Sequence, residues 1–468
     1  MGKTTRARSA DVRRRTFLKG ALAGAGLYFL PKGAYVRSKG AKAGAKKVAP
    51  SDKVNLALIG VGGRGGSMAK TFDVTGLANM VALCDVDMGG RGTKGIEKRF
   101  PGAPKFKDFR KMFDKMADKI DACQVAVPDH SHFPIAMLAM SLGKGIYVEK
   151  PLAQTFQEAE LMMAAEKKYK VACQMGNQGH SGNNYFQFKA WTEAGIIKNV
   201  RRVTACMNRP RRWHGWKING YPSGETKPAT LDWDLWLATR PHRPYSSKLH
   251  PGNWRSWFDF GNGAFGDWGP HTLDTIHRFL KLGLPTVTTA VKRDGPNQWI
   301  FPQASTISFD FPARGEMPPV KITWYDGTKN LPPRPKELDP KRKMDSCGKI
   351  IYSDDYVFKG TTHSATLRII PESKMREVAP KLPKYTGKYS SHAENFLLAI
   401  KGEEKTRSSF DIAGPLTQVF LLGVIAQRLG GKLVFDPKTR QITNNEVANK
   451  LLVGLPPRKG WEQYYKMA

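Results

Sequence analysis

A short apolar strand pattern that runs straight into a glycine fingerprint constrains this chain more than any other feature. Val54-Asn55-Leu56-Ala57-Leu58-Ile59 leads without a break into Gly60-Val61-Gly62-Gly63-Arg64-Gly65. A strand ending in GxGxxG and opening a helix is the first turn of a dinucleotide-binding Rossmann unit. Gly60 permits the tight turn. Gly62, with Gly63 beside it, lets the backbone approach a pyrophosphate, and Gly65 allows close helix–strand packing. Helix N-terminal amides then face the phosphate charge, and Arg64 either adds a positive group at the rim or faces solvent. A second strand pattern, Met80 to Cys84, ends at Asp85, 20 residues beyond Gly65. That is the reach of a carboxylate that accepts hydrogen bonds from the adenosine ribose, and an acid there repels a 2′-phosphate. NAD is therefore expected rather than NADP.

The alternation of strand and helix patterns continues through Asp121–Pro128, Phe133–Leu142, Ile146–Val148, a helix capped by Thr155 and Glu158, and Val171–Gln174. In doubly wound sheets the ligand lies across the carboxyl ends of the strands. The loops at 60–65, 128–132, 149–152 and 174–180 are accordingly expected to line one cleft. Within it Glu149-Lys150-Pro151 places an ammonium at a strand end, where it can orient or polarise a substrate oxygen. Asn177, Gln178 and His180 offer donors and acceptors suited to sugar hydroxyls.

At 468 residues the chain is too long for one ordinary core. We expect a leader and basic linker over 1–53, a dinucleotide domain over 54–180 and a second domain over 181–468. The five cysteines are odd in number and form no CxxC motif. Those in apolar strand patterns (Cys84, Cys123, Cys173) read as buried free thiols. Net charge is +35, with fourteen basic residues against two aspartates in residues 1–53. No zinc-finger spacing or RNA-binding aromatic motif accompanies this charge, so no specific nucleic-acid partner is expected.

Arg13-Arg14-Arg15-Thr16-Phe17-Leu18-Lys19 precedes a modest apolar run from Gly20 to Leu30. The order of charged region, arginine pair and short apolar region resembles a twin-arginine export signal. It implies passage through the twin-arginine translocase in a folded state and a periplasmic destination. Left uncut, the signal would act as a membrane tether. No later stretch holds 18 uncharged apolar residues, so no membrane span is expected in the body.

Together with Pro128-Asp129-His130-Ser131-His132 and a later segment, Gly261-Asn262-Gly263-Ala264-Phe265-Gly266-Asp267-Trp268-Gly269-Pro270-His271, these motifs resemble the Gfo/Idh/MocA oxidoreductases, and specifically their exported branch. The likeness covers residues 54–465. It implies an N-terminal Rossmann domain followed by an α/β domain with a large, mostly antiparallel open sheet. Val200–Cys206, Val287–Lys292, Ala304–Phe311, Val320–Trp324 and Ala365–Ile370 fit strands of that sheet, and Thr272–Leu280 reads as a helix. By the resemblance His271 is the base in alcohol oxidation, Asp267 orients it or the substrate, and Lys150 completes the set. The competing reading makes Asp267 a helix cap and His271 a buried hydrogen-bonding residue.

Pro128, His132 and Glu149 join Lys150 at the cofactor. Asp274 and His277 lie near enough in sequence to suggest a metal, but none is expected. Arg209, Arg211 and Arg212 read as solvated surface charge, with reception of an acidic sugar as the alternative, and Trp213, Trp216, Trp233, Trp236, Trp254 and Trp257 offer either stacking faces or core and interface anchors. The expected substrate is a sugar, cyclitol or glycoside. The expected assembly is a homo-oligomer, dimer or tetramer, with tightly retained NAD. Two alternatives accompany this reading: an NAD-dependent glycoside hydrolase or lyase working by transient oxidation and elimination, and a nonenzymatic carbohydrate-binding protein.

Overall fold

The computed structural model describes residues 52–209, 216–385 and 389–468. The expected export signal lies outside the described residues, as do Arg211, Arg212 and Trp213.

The first sheet has six strands: β1 (Val54–Ile59), β2 (Ala78–Cys84), β3 (Lys105–Phe106), β4 (Ala122–Val125), β5 (Gly145–Val148) and β6 (Cys173–Met175). Their order is β3-β2-β1-β4-β5-β6, and every pairing is parallel. The period-2 alternation of side chains explains how so short a sheet buries both faces. Leu56 and Leu58 pack on one side against Phe72 of helix α1 (Gly63–Val74), whereas Ala57 and Ile59 join the larger core on the other. Burying each such leucine contributes roughly 1.5–3 kcal/mol. On that larger-core side lie α2 (Asp129–Ser141) and α3 (Phe156–Tyr169). The α3 capping box forms as its sequence specifies: Glu158 N donates to Thr155 Oγ1 at 3.1 Å, and Thr155 N donates to Glu158 Oε2 at 3.0 Å.

The second sheet has nine strands in the order β13-β12-β11-β7-β10-β9-β8-β14-β15. They are β7 (Arg202–Met207), β8 (Val287–Asp294), β9 (Ala304–Phe311), β10 (Val320–Asp326), β11 (Cys347–Tyr352), β12 (Val357–Gly360), β13 (Arg368–Ile370), β14 (Gly431–Asp436) and β15 (Gln441–Ile442). All pair antiparallel except β7 with β10. The expected fold class is therefore found, with four strands (β11, β12, β14, β15) that the apolar pattern does not announce. In β11 the alternation is masked by Lys349, which is buried and donates to Asn184 Oδ1 at 3.2 Å.

Five further helices are α4 (Trp233–Leu237), α5 (Gly263–Thr272), α6 (Asp274–Phe279), α7 (His392–Ile400), which packs on the Phe72 side of the first sheet, and α8 (Phe410–Leu429). Helix α5 corrects the expectation that a helix begins at Thr272. The glycine-rich run is itself helical although Gly and Pro disfavour helices, because the space around it admits nothing larger. A Cβ on Gly269 would meet the Phe420 ring at 2.7 Å. Helix α8 is long and apolar enough to cross a membrane, yet 83% of its most apolar window is buried within the protein. It is the helix on which the second sheet packs.

The chain end folds back as expected. Tyr465 lies 4.5 Å from the Phe133 ring and donates to Glu158 Oε1 at 2.8 Å.

Candidate active site

The carboxyl ends of the first sheet and the Asp267–His271 turn of α5 border a cavity of about 1020 Å3. Gly60, Gly62, Gly63, Arg64, Asp85, Pro128, Glu149, Lys150, Gln178, Asp267 and His271 all line it. The structure thus brings two distant motifs to one space.

One wall is built by backbone. Gly60 has φ of +76°, and a Cβ there would lie 2.5 Å from Ala126 O. A Cβ on Gly65 would lie 1.8 Å from Gly60 O, so only glycine lets α1 approach β1 this closely. Asp85 Oδ2 accepts from Val61 N at 2.8 Å and Gly62 N at 3.3 Å, and its Oδ1 accepts from Asp87 N at 2.9 Å. The acid at the end of β2 therefore fixes the shape of the loop that precedes it. Removal from water raises the Asp85 pKa above the ordinary aspartate value, against the pull of these backbone donors. Cavity size, the glycine turn and a carboxylate at the loop's edge together fit a dinucleotide, with amides at the pyrophosphate and Asp85 at a ribose.

Arg64 joins this wall to the next. Its Nε donates to Glu149 Oε1 at 3.0 Å, and Gln178 Nε2 donates to the same oxygen at 3.3 Å. Glu149 is buried, and burial pushes its carboxyl pKa up. Gly176 makes room for it: a Cβ there would meet Glu149 Cδ at 2.9 Å.

The opposite wall is built by side chains. Lys150, whose peptide bond to Pro151 is cis, donates to Asp267 Oδ1 at 2.5 Å and to Asp267 O at 2.8 Å. An ammonium has three donors, so one N–H remains for a substrate oxygen. Arg255 Nε stands 3.5 Å from Asp267 Oδ1, and Arg255 Nη2 stands 3.5 Å from Asp129 Oδ1. Two cations and two carboxylates thus compensate one another beneath the cavity. Asp267 and His271 are one turn apart on α5. The His271 ring lines the cavity and is 8% exposed. Its Nδ1 is buried with no hydrogen-bond partner among the described residues, so a proton can enter or leave the ring only through Nε2. Burial first, then the Lys150 charge and His363, hold the His271 pKa well below the ordinary imidazole value. The ring is therefore a neutral base at pH 7.

Three expected site residues do not reach the cavity. Helix α2 begins at Asp129, so the 128–132 segment is its first turn rather than a loop. His132 consequently points inward, with its ring nitrogens 2.9 Å from Pro151 O and 3.0 Å from Val127 O; it braces the Lys150 turn instead of touching a cofactor. Asn177 Oδ1 accepts from Ser408 Oγ at 2.7 Å, and His180 Nδ1 lies 2.7 Å from Asp274 Oδ1. Both are buried polar struts. Buried polar groups need partners, and the protein supplies one to each of these side chains, while Asn177 Nδ2 and His180 Nε2 have none among the described residues.

Asp274 is thereby occupied, and His277 Nε2 is 2.9 Å from Gly283 O. Among the described residues no group of His, Cys, Asp and Glu is arranged to hold a metal ion. Of the candidate stacking tryptophans, Trp236 and Trp254 line the cavity, joined by Trp461 from the chain end, and Arg255 lies over the Trp254 ring at 4.1 Å.

Two features carry no signal in the sequence. His363 lines the cavity from the turn between β12 and β13; no motif or spacing links it to α5. The second is a strap at 228–236 that crosses from the second domain onto the end of β2. Thr230 Oγ1 donates to Asp87 Oδ1 at 2.6 Å, Lys107 Nζ donates to Thr230 O at 2.6 Å, and Asp232 N donates to Val86 O at 2.9 Å. Pro228, Thr230, Leu235 and Trp236 cover the part of the cavity beside Asp85 and Thr93.

One cavity thus sets a dinucleotide wall against a lysine, an aspartate and a neutral imidazole, the arrangement of a two-domain nicotinamide-binding fold. The chain belongs to the Gfo/Idh/MocA oxidoreductase family: residues 54–177 match its NAD-binding Rossmann fold and residues 188–304 its C-terminal alpha/beta domain. A glycosyl hydrolase family 109 protein of Saccharopolyspora erythraea is 34% identical over 139 residues, covering 28% of this chain and 30% of the relative. The inositol 2-dehydrogenase of Rubrobacter xylanophilus is 34% identical over 119 residues, covering 25% and 32%. The chain thus spans about a third of the length of these curated relatives. The fold is shared with the WlbA dehydrogenase of Chromobacterium violaceum, solved with NADH and UDP-GlcNAcA, at a TM-score of 0.56 and 13% identity, covering 84% of this chain and 99% of that one.

Proposed function

We propose that the protein oxidises a secondary hydroxyl of a sugar, cyclitol or glycoside, with NAD as hydride acceptor. The observation that carries this reading is the single cavity shared by the glycine loop and the Lys150–Asp267–His271 group. When bound, NAD supplies the two-electron acceptor, held by the loop amides, Asp85 and the Arg64–Glu149 bridge. His271 Nε2 takes the hydroxyl proton. The free N–H of Lys150 donates to the substrate oxygen as negative charge develops there, and Asp267 fixes the direction of that ammonium. Gln178, Trp236 and Trp254 are placed to bind the rest of a polyhydroxy substrate.

We further propose that the protein works outside the cytoplasm after twin-arginine export, as a dimer or tetramer. NAD would then be a resident cofactor recycled by a second substrate. The strap at 228–236 supports retention, since it ties the second domain to Val86 and Asp87 at the edge of the groove. A second reading, redox-neutral cleavage of a glycoside through transient oxidation, is favoured by the matches to glycosyl hydrolase family 109 proteins.

Incubating the purified protein with a panel of glycosides and cyclitols, then identifying products and bound cofactor by mass spectrometry, tests the proposal. A keto-sugar with reduced nicotinamide supports oxidation, and cleaved glycoside at an unchanged oxidation level supports the second reading. Unaltered substrates together with a protein that holds no dinucleotide would reject both.

A further inference from the structure

Arg255 borders the cavity beside Lys150 and Asp267, yet alcohol oxidation assigns it no part. Its backbone forms a short turn of 3-10 helix (Trp254–Ser256) pressed closely on Gly261, where an added Cβ would stand 2.6 Å from Arg255 Cα. The guanidinium carbon lies 4.1 Å from the centre of the Trp254 ring, a cation–π contact that holds the group in place. The side chain is 17% exposed, and both residues line the cavity.

A guanidinium carries five N–H donors, and among the described residues those of Arg255 make no hydrogen bond. Its Nε is buried with no partner, and the two nearest carboxylates, Asp267 and Asp129, stand off at 3.5 Å each. Both are committed elsewhere. Asp267 Oδ1 accepts from Lys150, and Asp129 Oδ2 accepts from Asn262 N at 3.1 Å and Asn262 Nδ2 at 3.2 Å. Charge is balanced there, but the donors are not filled. Other arginines near the site differ: Arg64 Nε donates to Glu149 Oε1 at 3.0 Å, and Arg240 donates to Gln154 Oε1 at 2.6 Å. A desolvated cation without hydrogen bonds is costly, and a ligand reaching Arg255 from the cavity would remove that cost.

Position and planarity select the ligand. Lys150 Nζ and Arg255 Nε lie 2.5 Å and 3.5 Å from the same Asp267 oxygen, so ammonium and guanidinium stand within the span of one sugar ring. The planar fork matches the two oxygens of a carboxylate, which it binds bidentately. One guanidinium balances one negative charge, whereas a phosphate monoester carries about −1.5 to −2. Arg209, by contrast, is exposed, donates to Ser346 Oγ at 3.4 Å and does not line the cavity. Residues 54–468 hold 61 basic against 38 acidic side chains, an excess that draws anions toward the protein. We infer that Arg255 receives a carboxylate on the same ring whose hydroxyl meets Lys150 and His271, so that the substrate is an acidic sugar, a uronic acid or a glycoside of one. This rests on the reading of the cavity as the site of a sugar oxidoreductase and narrows its substrate.

Calorimetric titration of the full-length, NAD-loaded protein with the methyl glycosides of glucuronic, galacturonic and mannuronic acid tests the inference. Each is compared with its neutral parent hexoside and with its uronamide, which keeps the shape and loses the charge. At least one uronoside should bind about a hundredfold more tightly than both of its neutral matches, a comparison that needs no altered protein. In Arg255→Gln that preference should disappear. Arg255→Lys keeps the positive charge facing Asp129 but cannot meet both carboxylate oxygens, and it should lose most of the preference. An arginine with a merely structural role would weaken acidic and neutral ligands alike and leave their ratio intact. Equal affinity for uronosides and their amides, an intact ratio in both variants, or no binding of any uronoside overturns the inference. Tighter binding of glucose 6-phosphate than of every uronoside, or loss of NAD from a folded Arg255 variant, also overturns it, by assigning the guanidinium to a phosphate. Nicotinamide reduction by the tightest-binding uronoside is followed separately by absorbance. Its absence, with the binding preference present, counts against the oxidoreductase reading alone.

Discussion

The two walls of the cavity do their work with different parts of the chain. The cofactor wall presents backbone: a glycine turn, amides at the start of α1, and one aspartate that shapes the loop. The opposite wall presents side chains drawn from a strand exit, a buried helix and a remote turn, at Lys150, Asp267, His271 and His363. A backbone wall tolerates changes that keep its path and fails when atoms are added. A side-chain wall tolerates added bulk poorly too, but it fails most sharply when a single functional group is removed.

That contrast orders the expected losses. On the side-chain wall, Lys150→Ala and His271→Ala should each lower kcat/KM for glycoside oxidation by on the order of a thousandfold, with bound NAD retained, as steady-state kinetics and cofactor quantitation would show. Loss of the cofactor in either variant would erase the division between the walls. On the backbone wall, Gly65→Ala should do the reverse, emptying the cofactor site and costing about 1–3 kcal/mol of stability, because its methyl must displace Gly60 O. Thermal unfolding with and without added NAD measures both effects. A Gly65→Ala protein that keeps its NAD and its melting temperature would show that the helix is not held as described.

Asp267→Asn keeps the shape but removes the charge that aims Lys150. A fall of about ten- to a hundredfold in kcat with little change in KM is expected, since the lost interaction acts on orientation rather than on ground-state binding. The pH profile sharpens the same wall. His271 accepts a proton only when neutral, and its pKa lies below the ordinary imidazole value. Activity should therefore persist as pH falls past about 6.5 and decline only through the lowered pKa. An acid limb at or above the ordinary value would remove His271 from the role of base. The smallest effect belongs to the strap. Thr230→Val deletes one hydrogen bond to Asp87 and should raise the NAD dissociation rate by about tenfold or less, as stopped-flow displacement would record.

The same contrast explains what the sequence discloses. A wall made of backbone must be written locally, because glycines at fixed spacing are the only way to bring the chain close to a phosphate. Gly60, Gly62, Gly65 and Asp85 are therefore legible in the order of residues alone. Lys150 is legible from its strand exit, whereas the roles of Asp267 and His271 come only through resemblance, and the three meet in one cavity as that resemblance implies. His132, Asn177 and His180 show the limit of reasoning from loop position. Each sits at a strand exit, but α2 starts earlier than its apolar pattern does, and buried partners claim the other two side chains. His363 and the 228–236 strap lie beyond such reasoning, since their place depends on how a nine-stranded sheet stacks against a six-stranded one. The helical path of the glycine-rich run at 263–272 is likewise dictated by the Phe420 ring it packs on, not by its own propensity.

The central claim is that one cavity places a nicotinamide cofactor against a lysine and a neutral imidazole. The most direct measurement is single-turnover nicotinamide reduction, followed by absorbance after mixing the NAD-loaded protein with a glycoside that its product analysis identifies as substrate. Reduction in the wild type, abolished in both Lys150→Ala and His271→Ala while each still carries its cofactor, is the predicted result. Reduction at wild-type rates in both variants would mean that hydride leaves the substrate somewhere else, which contradicts the claim.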